Sequence, residues 1–157
     1  MYAFTVTVDI DATPARVWRA LCDPAEVVQW DTGVSGALDA PPDYPRPGQH
    51  VRWRCRRGLF RILHDRPQEV VREHTLRSLL SVGVSRLDET YTLEEHMGGC
   101  RLSVGMIVSV PLPVLGGIIA RRSVGPRTRA AVTASLEAIK SHCEGEDSSR
   151  GPHGHGP

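Results

Sequence analysis

The sequence predicts an α+β domain in which a curved antiparallel sheet wraps around one long C-terminal helix. The hydrophobic patterns follow the order strand, two short helices, a run of about six strands and a terminal helix. A run of antiparallel strands needs a cover for its apolar face, and only the terminal helix is long enough to provide one. The length of 157 residues is typical of one domain that can bury a core and enclose a cavity.

The N-terminal part of the chain carries the first strand and the two short helices. Residues 2–10 alternate apolar and polar side chains, which predicts a strand. Thr13 can cap the helix that follows, and Pro14 suits its first turn because no N–H donor is needed there. A second short helix begins at Asp23-Pro24 and ends in the apolar Trp30. Residues 31–48 contain four prolines and three glycines, which predicts a loop, or a loop with irregular extended pieces.

The middle of the chain alternates apolar and polar residues in several short runs. Strands are predicted near 50–56, 59–66, 68–72, 75–82, 86–95 and 101–110. Within 59–66 the row Phe60, Ile62 and His64 is more apolar than the row that contains Asp65. We therefore expect the former row to face inward. Pro67 permits a bulge that would change which face each later side chain takes.

The C-terminal part has helical spacing. Its predicted buried stripe comprises Val132, Leu136, Ile139 and Cys143. Gly145 can end this helix, and Gly125-Pro126 should kink or interrupt any helix that begins nearer Leu115. The last dozen residues are poor in apolar side chains, so residues 1–145 are predicted to form a single domain and residues 146–157 a disordered tail.

Charge argues against a polyanionic partner. The formal net charge is +1, from 19 basic and 18 acidic residues. Arg52, Arg54 and Arg56 alternate with apolar residues, so they form the solvated face of a strand more simply than a nucleic-acid site. We therefore expect no nucleic-acid partner, and the sequence identifies no protein partner.

The N-terminal residues and the cysteines indicate the cellular compartment of the protein. The first residues lack the basic flank and long apolar run of a signal peptide, so we expect a cytoplasmic protein with free thiols, although disulfides stay open. Residues 102–120 carry no charge, but Pro111 and Pro113 divide them into shorter pieces. No stable membrane insertion is expected.

Sequence motifs for cofactors and metals are missing. The chain contains no G-x-G-x-x-G, P-loop or H-E-x-x-H motif, and no C-x-x-C pair. His153 and His155 are too few ligands for a specific metal site. We expect neither an organic cofactor nor a metal.

Three segments of the chain resemble one superfamily: FTVTVDIDATPARVWRALCDPAEVVQWD near the start, LDETYTL with GGCRLSV in the hairpin, and TRAAVTASLEAIKSHCEG near the end. Over roughly residues 2–145 the chain resembles the START-like superfamily, also called the polyketide cyclase/dehydrase and lipid-transport (SRPBCC) group. That resemblance implies the helix-grip fold and an elongated pocket between sheet and terminal helix for a mostly apolar small molecule. Members differ in function, so the fold alone leaves the function open.

Glu89 is the main candidate for chemistry. It shares the inward row of its strand with Leu87, Tyr91 and Leu93. A buried carboxylate needs a partner or a raised pKa, so Glu89, with His64 or Tyr91, is a candidate for handling a proton on a ligand. The alternative is that Glu89 is solvated at the strand end or forms a structural ion pair.

The remaining candidates are pocket-lining residues, and three functions stay open. The proposed ligand-binding residues are Trp30, Trp53, Phe60, Ile62, Leu87, Leu102, Val104 and Met106. The leading hypothesis is binding, with or without transport, of a lipid-like or polyketide-like molecule. The second is a cyclase, aromatase or dehydratase that uses acid/base residues of the same cavity. The third is a non-catalytic interaction module.

Overall fold

The computed structural model describes residues 1–148 as one antiparallel sheet with the helices packed on one face, which confirms the predicted α+β helix-grip architecture. The strands are β1 (Tyr2–Ile10), β2 (Val34–Ala37), β3 (Val51–Cys55), β4 (Ile62–Val71), β5 (Thr75–Val82), β6 (Ser85–His96) and β7 (Gly99–Ser109). The helices are α1 (Pro14–Cys22), α2 (Pro24–Trp30), α3 (Gly116–Ile119) and α4 (Gly125–Ser148), with a π-helical turn at Ala120–Val124. The strand order is β1-β7-β6-β5-β4-β3-β2.

Side-chain caps define the two short helices. The Thr13 hydroxyl accepts a hydrogen bond of 3.2 Å from the backbone N–H of Arg16, as predicted for the start of α1. The Asp23 carboxylate caps α2 by accepting from the N–H of Ala25 at 3.0 Å. Trp30 Nε1 then donates to the Ala20 carbonyl at 2.8 Å, which fixes the end of α2 against α1.

Glu26 on α2 joins the short helices to α4. Its carboxylate lies 2.8 Å from Arg16 Nη1, 3.0 Å from Arg19 Nε and 2.8 Å from His142 Nε2, while its side chain is only 12% exposed. Burial raises the pKa of Glu26, but the hydrogen bonds from His142, Arg19 and Arg16 outweigh burial and hold the pKa below its usual value. The cluster sets the position of α2 over the sheet.

Helix α4 packs directly on the sheet. Leu136, Ile139 and Cys143 are buried, as the predicted stripe requires, and they belong to the same core as Leu102 and Val104 of β7.

In the C-terminal helical region, the structure differs from the prediction at the kink and at the helix end. The irregularity expected at Gly125-Pro126 is a π-helical turn just before Gly125, where Pro126 has no N–H to continue the regular ladder. The predicted helix end at Gly145 is wrong, because α4 continues to Ser148 and a glycine without positive φ can remain in a helix. Residues 149–157 of the predicted tail lie outside the described residues.

Two other segments are now defined more closely. The segment 31–48, predicted as a loop or a loop with irregular extended pieces, contains one such piece, the short edge strand β2, which pairs with β3. The predicted strands at 59–66 and 68–72 form one strand, β4, with a bulge between Pro67 and Glu69, where the sequence permits one. No helix within residues 1–148 is long and apolar enough to cross a membrane. All four cysteines are free in the structure.

Candidate ligand cavity

A cavity of about 90 Å³ lies between the β3–β6 part of the sheet and a cover made by α1, α2 and the β2–β3 connection. The expected location between the sheet and the terminal helix is wrong, since no described residue of α4 lines this cavity. The reason is the close packing of Leu136 and Ile139 on the sheet.

Glu89 points into this cavity from β6, as the alternation of its strand predicts. Its neighbour on β5 is Ser78, which is buried. Burial and the nearby carboxylates of Asp65 and Asp31 raise the pKa of Glu89 to about 8, although hydrogen bonding to Tyr91 lowers it somewhat. Glu89 is therefore mostly protonated at neutral pH, and a neutral carboxyl can donate a hydrogen bond.

Asp65 faces the same cavity from β4 and is 4% exposed. Its Oδ2 accepts hydrogen bonds from the Tyr44 hydroxyl at 2.7 Å and from Trp53 Nε1 at 3.1 Å. Its Oδ1 is buried and has no hydrogen-bond partner of good geometry, although the Ser78 hydroxyl lies near enough to lower the Asp65 pKa. Burial raises that pKa, and these donors oppose the rise. Asp65 thus lies in the cavity lining with one buried oxygen that lacks a well-formed hydrogen bond.

Asp31, directly after α2, is the third carboxyl in the lining. Its Oδ1 accepts from the N–H of Gly33 at 2.7 Å. Burial raises the pKa of Asp31, while Gly33 and the charge of Arg56 oppose the rise. Several hydrogen bonds and charges therefore oppose the rise in the pKa of Asp31 and Asp65, whereas the hydrogen bond with Tyr91 alone opposes the rise in the pKa of Glu89.

Apolar and aromatic side chains form most of the remaining wall. The lining includes Trp30, Trp53, Tyr91, Leu63 and Leu76. The rings of Tyr44 and Trp53 meet edge to face, with their centroids 5.9 Å apart. The cavity therefore combines apolar wall residues with one neutral carboxyl donor, Glu89, and two further carboxyl groups, which suits a small molecule that has both an apolar part and a polar group.

Four of the predicted site residues, Trp30, Trp53, Glu89 and Tyr91, lie together in this cavity. Leu102, Val104, Met106 and Leu87 do not line it. The first three are at most 2% exposed within packed core, and Leu87 packs against the cluster of Phe4, Met106 and Val108. Their inward orientation is as predicted, but helical side chains rather than a cavity lie above them.

The predicted inward orientation of Phe60, Ile62 and His64 is wrong. Ile62 and His64 pair with Arg54 and Arg52 on β3, so they share the outer face of the sheet with these arginines. Phe60 precedes the strand and is 48% exposed. His64 Nδ1 lies 2.8 Å from His50 Nε2, and partial burial with neighbouring cationic groups lowers the pKa of His64. His64 is therefore separated from Glu89 by the sheet.

The cause of this error is the length of the β3–β4 connection. A tight turn at Arg57-Gly58 would pair Trp53 with Ile62, whereas the observed partner of Trp53 is Leu63. A shift of one residue moves every side chain of the strand to the other face. As a result, Leu63 and Asp65 face the cavity.

Sequence reasoning missed the cavity residues Asp31, Tyr44, Asp65 and Ser78. Ser78 could have been found, because it alternates with Leu76 and Leu80 in a correctly predicted strand. Asp65 required the correct register, and Asp31 and Tyr44 lie in irregular segments where no periodicity indicates direction. Among the described residues, no group of three or more His, Cys, Asp or Glu side chains is arranged to hold a metal ion.

Comparison with solved structures identifies the same fold in several bacterial proteins. CV1439 from Chromobacterium violaceum has 18% identity and a TM-score of 0.69, with 90% of this chain and 96% of that chain covered. Mll3558 from Rhizobium loti has 22% identity and a TM-score of 0.67, with coverage of 88% and 94%. The Aha1 dimer from Colwellia psychrerythraea has 13% identity and a TM-score of 0.69, with coverage of 92% and 97%. At these identities the likeness shows the fold alone.

Sequence comparison is more specific about the family. A search of curated proteins finds no significant match. The family described as polyketide cyclase/dehydrase and lipid transport, in contrast, matches residues 1–144. That match spans nearly all of the described residues, from β1 through most of α4. The chain therefore belongs to the polyketide cyclase/dehydrase and lipid transport family.

Proposed function

We propose that the protein binds a small, mostly apolar molecule that carries a carbonyl or a comparable hydrogen-bond acceptor. The observation that carries this proposal is the position of Glu89 in a cavity lined by both apolar side chains and carboxyl groups, where burial, Asp65 and Asp31 raise its pKa to about 8. At neutral pH the protonated carboxyl donates to the acceptor of the ligand. The apolar remainder of the ligand contacts Trp30, Leu63 and Leu76.

Ligand size is set by the β2–β3 connection. Typical pockets for drug-sized ligands have volumes of roughly 300–1,000 Å³, so a lipid-like or polyketide-like ligand requires this cavity to widen. Tyr44 reaches the cavity from the connection rather than from the sheet. Turning Tyr44 outward enlarges the cavity without breaking a strand, and it releases Asp65 Oδ2 from one hydrogen bond.

The test compares acetophenone with ethylbenzene, which has a similar shape but no acceptor. Binding is followed by isothermal titration calorimetry at several pH values. At pH 6 we expect wild-type protein to prefer acetophenone by roughly 3–10-fold, the value of one hydrogen bond. This preference should decline as pH rises through about 8, because Glu89 loses its proton there.

Glu89→Gln sharpens the test because the amide keeps a neutral N–H donor at every pH. The variant should bind acetophenone with little pH dependence. Glu95→Gln, an exposed change on the same strand, is the matched control and should behave as wild type. Equal affinity for both compounds at pH 6, or the same decline in Glu89→Gln, would contradict the proposal.

A second candidate function is acid/base catalysis in the same cavity. It is favoured by the contrast between Glu89, which holds a proton, and Asp65, which accepts hydrogen bonds and leaves Oδ1 unpartnered. On a ketone, Asp65 would take the proton from the α-carbon while Glu89 gives its proton to the carbonyl oxygen, so that an enol forms. The hydroxyl of Tyr91, which is hydrogen-bonded to Glu89, would be the second donor near the carbonyl oxygen.

Deuterium exchange distinguishes the enzyme from the binding protein. In D₂O, a catalyst of enol formation accelerates exchange of the methyl protons of acetophenone, which proton NMR detects. Asp65→Asn should abolish this acceleration while acetophenone still binds. Exchange at the rate of buffer alone would leave ligand binding as the function and exclude the catalytic role for this ketone.

A further inference from the structure

Three connections of the sheet lie at the same end of the molecule. The pairs Arg54–Ile62, Val82–Ser85 and Arg86–Ser109 join neighbouring strands at that end. We call this region the turn end and define it as residues 54–62, 82–86 and 109–124. It contains the β3–β4 turn, the β5–β6 turn and the connection from β7 through the π-helical turn.

The turn end is strongly cationic. Its three segments contain no Asp or Glu, but they contain seven arginines: Arg54, Arg56, Arg57, Arg61, Arg86, Arg121 and Arg122. All seven are exposed. Arg56 donates to the Val28 carbonyl at 2.7 Å. Within residues 1–145, none of the seven forms an ion pair with an acidic side chain.

Acidic residues collect at the opposite end of the sheet. The strand ends and turns there carry Asp9, Asp11, Glu69, Glu73, Glu94 and Glu95, of which Asp9 pairs with Arg101 and Glu73 with Arg72. Although the chain has a net charge of only +1, arginines without an acidic partner are therefore concentrated at the turn end. Such a distribution orients the molecule with its turn end toward an anionic surface.

Exposed aliphatic side chains project from the same three segments. Leu59 is 88% exposed and Val114 is 92% exposed, while Val84 and Leu115 are 50% and 59% exposed. They stand on separate turns between the arginines instead of forming one flat patch. Arginines interleaved with projecting aliphatic groups are typical of a surface that lies in the interface of an anionic bilayer.

A surface groove borders the turn end. The groove, about 820 Å³, lies on the outer side of the sheet and is lined by Phe60, Arg61, Arg66, Arg86 and Leu80, among others. Leu80 also lines the acidic cavity. The Phe60 ring lies so close to Gly83 that a Cβ there would stand 2.5 Å from it, so the β3–β4 and β5–β6 turns are in direct contact.

We propose that the turn end docks the protein on the surface of an anionic phospholipid bilayer. The arginines bind lipid phosphates, and Leu59, Val84, Val114 and Leu115 enter the headgroup region. This docking does not depend on which ligand the cavity holds.

Vesicle sedimentation tests the docking surface. Full-length protein is mixed with vesicles of phosphatidylcholine alone, or of phosphatidylcholine and phosphatidylglycerol in equal parts, at low and high salt. We expect binding to the mixed vesicles at low salt and little binding to phosphatidylcholine. Arg57→Gln and Arg121→Gln should each weaken binding roughly fivefold, from ~1 kcal/mol per arginine near such a surface.

The apolar contribution is tested with Leu59→Ser combined with Val114→Ser, which should weaken binding by roughly tenfold or more. Met97→Ser and Arg72→Gln, exposed changes at the opposite end, are matched controls and should bind as wild type. Absence of binding to anionic vesicles, or equal losses in the controls, would overturn the proposal. So would self-association in analytical ultracentrifugation that the turn-end variants abolish, because the patch would then be an interface between copies of this chain.

Discussion

Asp65 and Glu89 face one cavity from strands β4 and β6, on the two sides of β5. Leu80 of β5 lies opposite Asp65, and Ser78 of β5 lies opposite Glu89, so the two carboxyls are offset diagonally across this strand. The charge of Asp65 raises the pKa of Glu89. The acidic character of the cavity is therefore a property of the pair, in which hydrogen bonds from Tyr44 and Trp53 oppose the rise in the pKa of Asp65, while Glu89 retains its proton at neutral pH.

Stability should depend on pH through Glu89. Its pKa is about 8 in the folded protein and 4.5 in the unfolded chain, so the folded state holds an extra proton between these values. The contribution of Glu89 to the free energy of unfolding is complete below pH 4.5 and is lost as pH rises through about 8. Glu89→Gln should remove this loss and stabilise the protein above pH 8 by about 2–4 kcal/mol. Urea unfolding of wild type and Glu89→Gln at several pH values measures this difference in the free energy of unfolding.

Tyr44 should stabilise the folded state through its hydroxyl. Tyr44→Phe deletes the 2.7 Å hydrogen bond to Asp65 Oδ2 and leaves a buried carboxylate with one donor fewer. We expect a loss of ~1–2 kcal/mol in the free energy of unfolding at pH 7. Tyr2→Phe removes a hydroxyl that bonds to no described residue and is the control. Equal effects of the two changes would show that the Tyr44–Asp65 bond contributes little.

Glu26 should be important for the cover of the cavity. Glu26→Gln weakens the contacts with Arg16, Arg19 and His142, and so loosens α2 from α4. Since the pKa of Glu26 is depressed, its contribution is present above pH 4.5 and is lost as pH falls through the folded value. We expect a loss of ~2 kcal/mol at pH 7. The exposed Glu137→Gln on α4 should change stability little, and chemical denaturation distinguishes the two variants.

Close packing of α4 on β1 predicts opposite effects of two glycine substitutions. A Cβ at Gly125 would stand 2.3 Å from Cγ of Tyr2 and 2.4 Å from the Ala120 carbonyl, whereas a Cβ at Gly117 meets nothing within 4 Å. Gly125→Ala should therefore destabilise the protein by ~2 kcal/mol. Gly117→Ala should stabilise it by ~0.5 kcal/mol through helix propensity. Thermal unfolding of both variants shows directly whether each substitution raises or lowers the stability of the protein.

Local sequence patterns were sufficient to predict much of this fold. Alternation in β6 correctly oriented Glu89 and Tyr91, and the Thr13 cap correctly marked the start of α1, because both depend on neighbouring residues. Which side chains of β4 face inward depends instead on the length of the β3–β4 connection. The polarity of the two alternating rows of β4 does not reveal that length. The row that contains Arg61 and Asp65 was the less apolar one and was therefore predicted to face outward, but hydrogen bonds from Tyr44 and Trp53 make the burial of Asp65 possible.

The location of the cavity could not be predicted for a related reason. A helix over a sheet suggests a space between them, but side-chain volume decides whether the space exists. Leu136 and Ile139 close it beneath α4. The cavity remains where Asp31 and Tyr44, both in irregular segments, stand over the opposite half of the sheet.

The most direct test of the cavity chemistry is the pKa of Glu89 itself. Protein labelled with ¹³C at glutamate side-chain carboxyls is titrated by NMR, and the Glu89 signal is assigned by its loss in Glu89→Gln. We predict a midpoint near pH 8, with the signal of a neutral carboxyl at pH 6. A midpoint near the ordinary value of 4.5 would contradict the proposal, because Glu89 would then be a carboxylate at neutral pH and could not donate to a ligand.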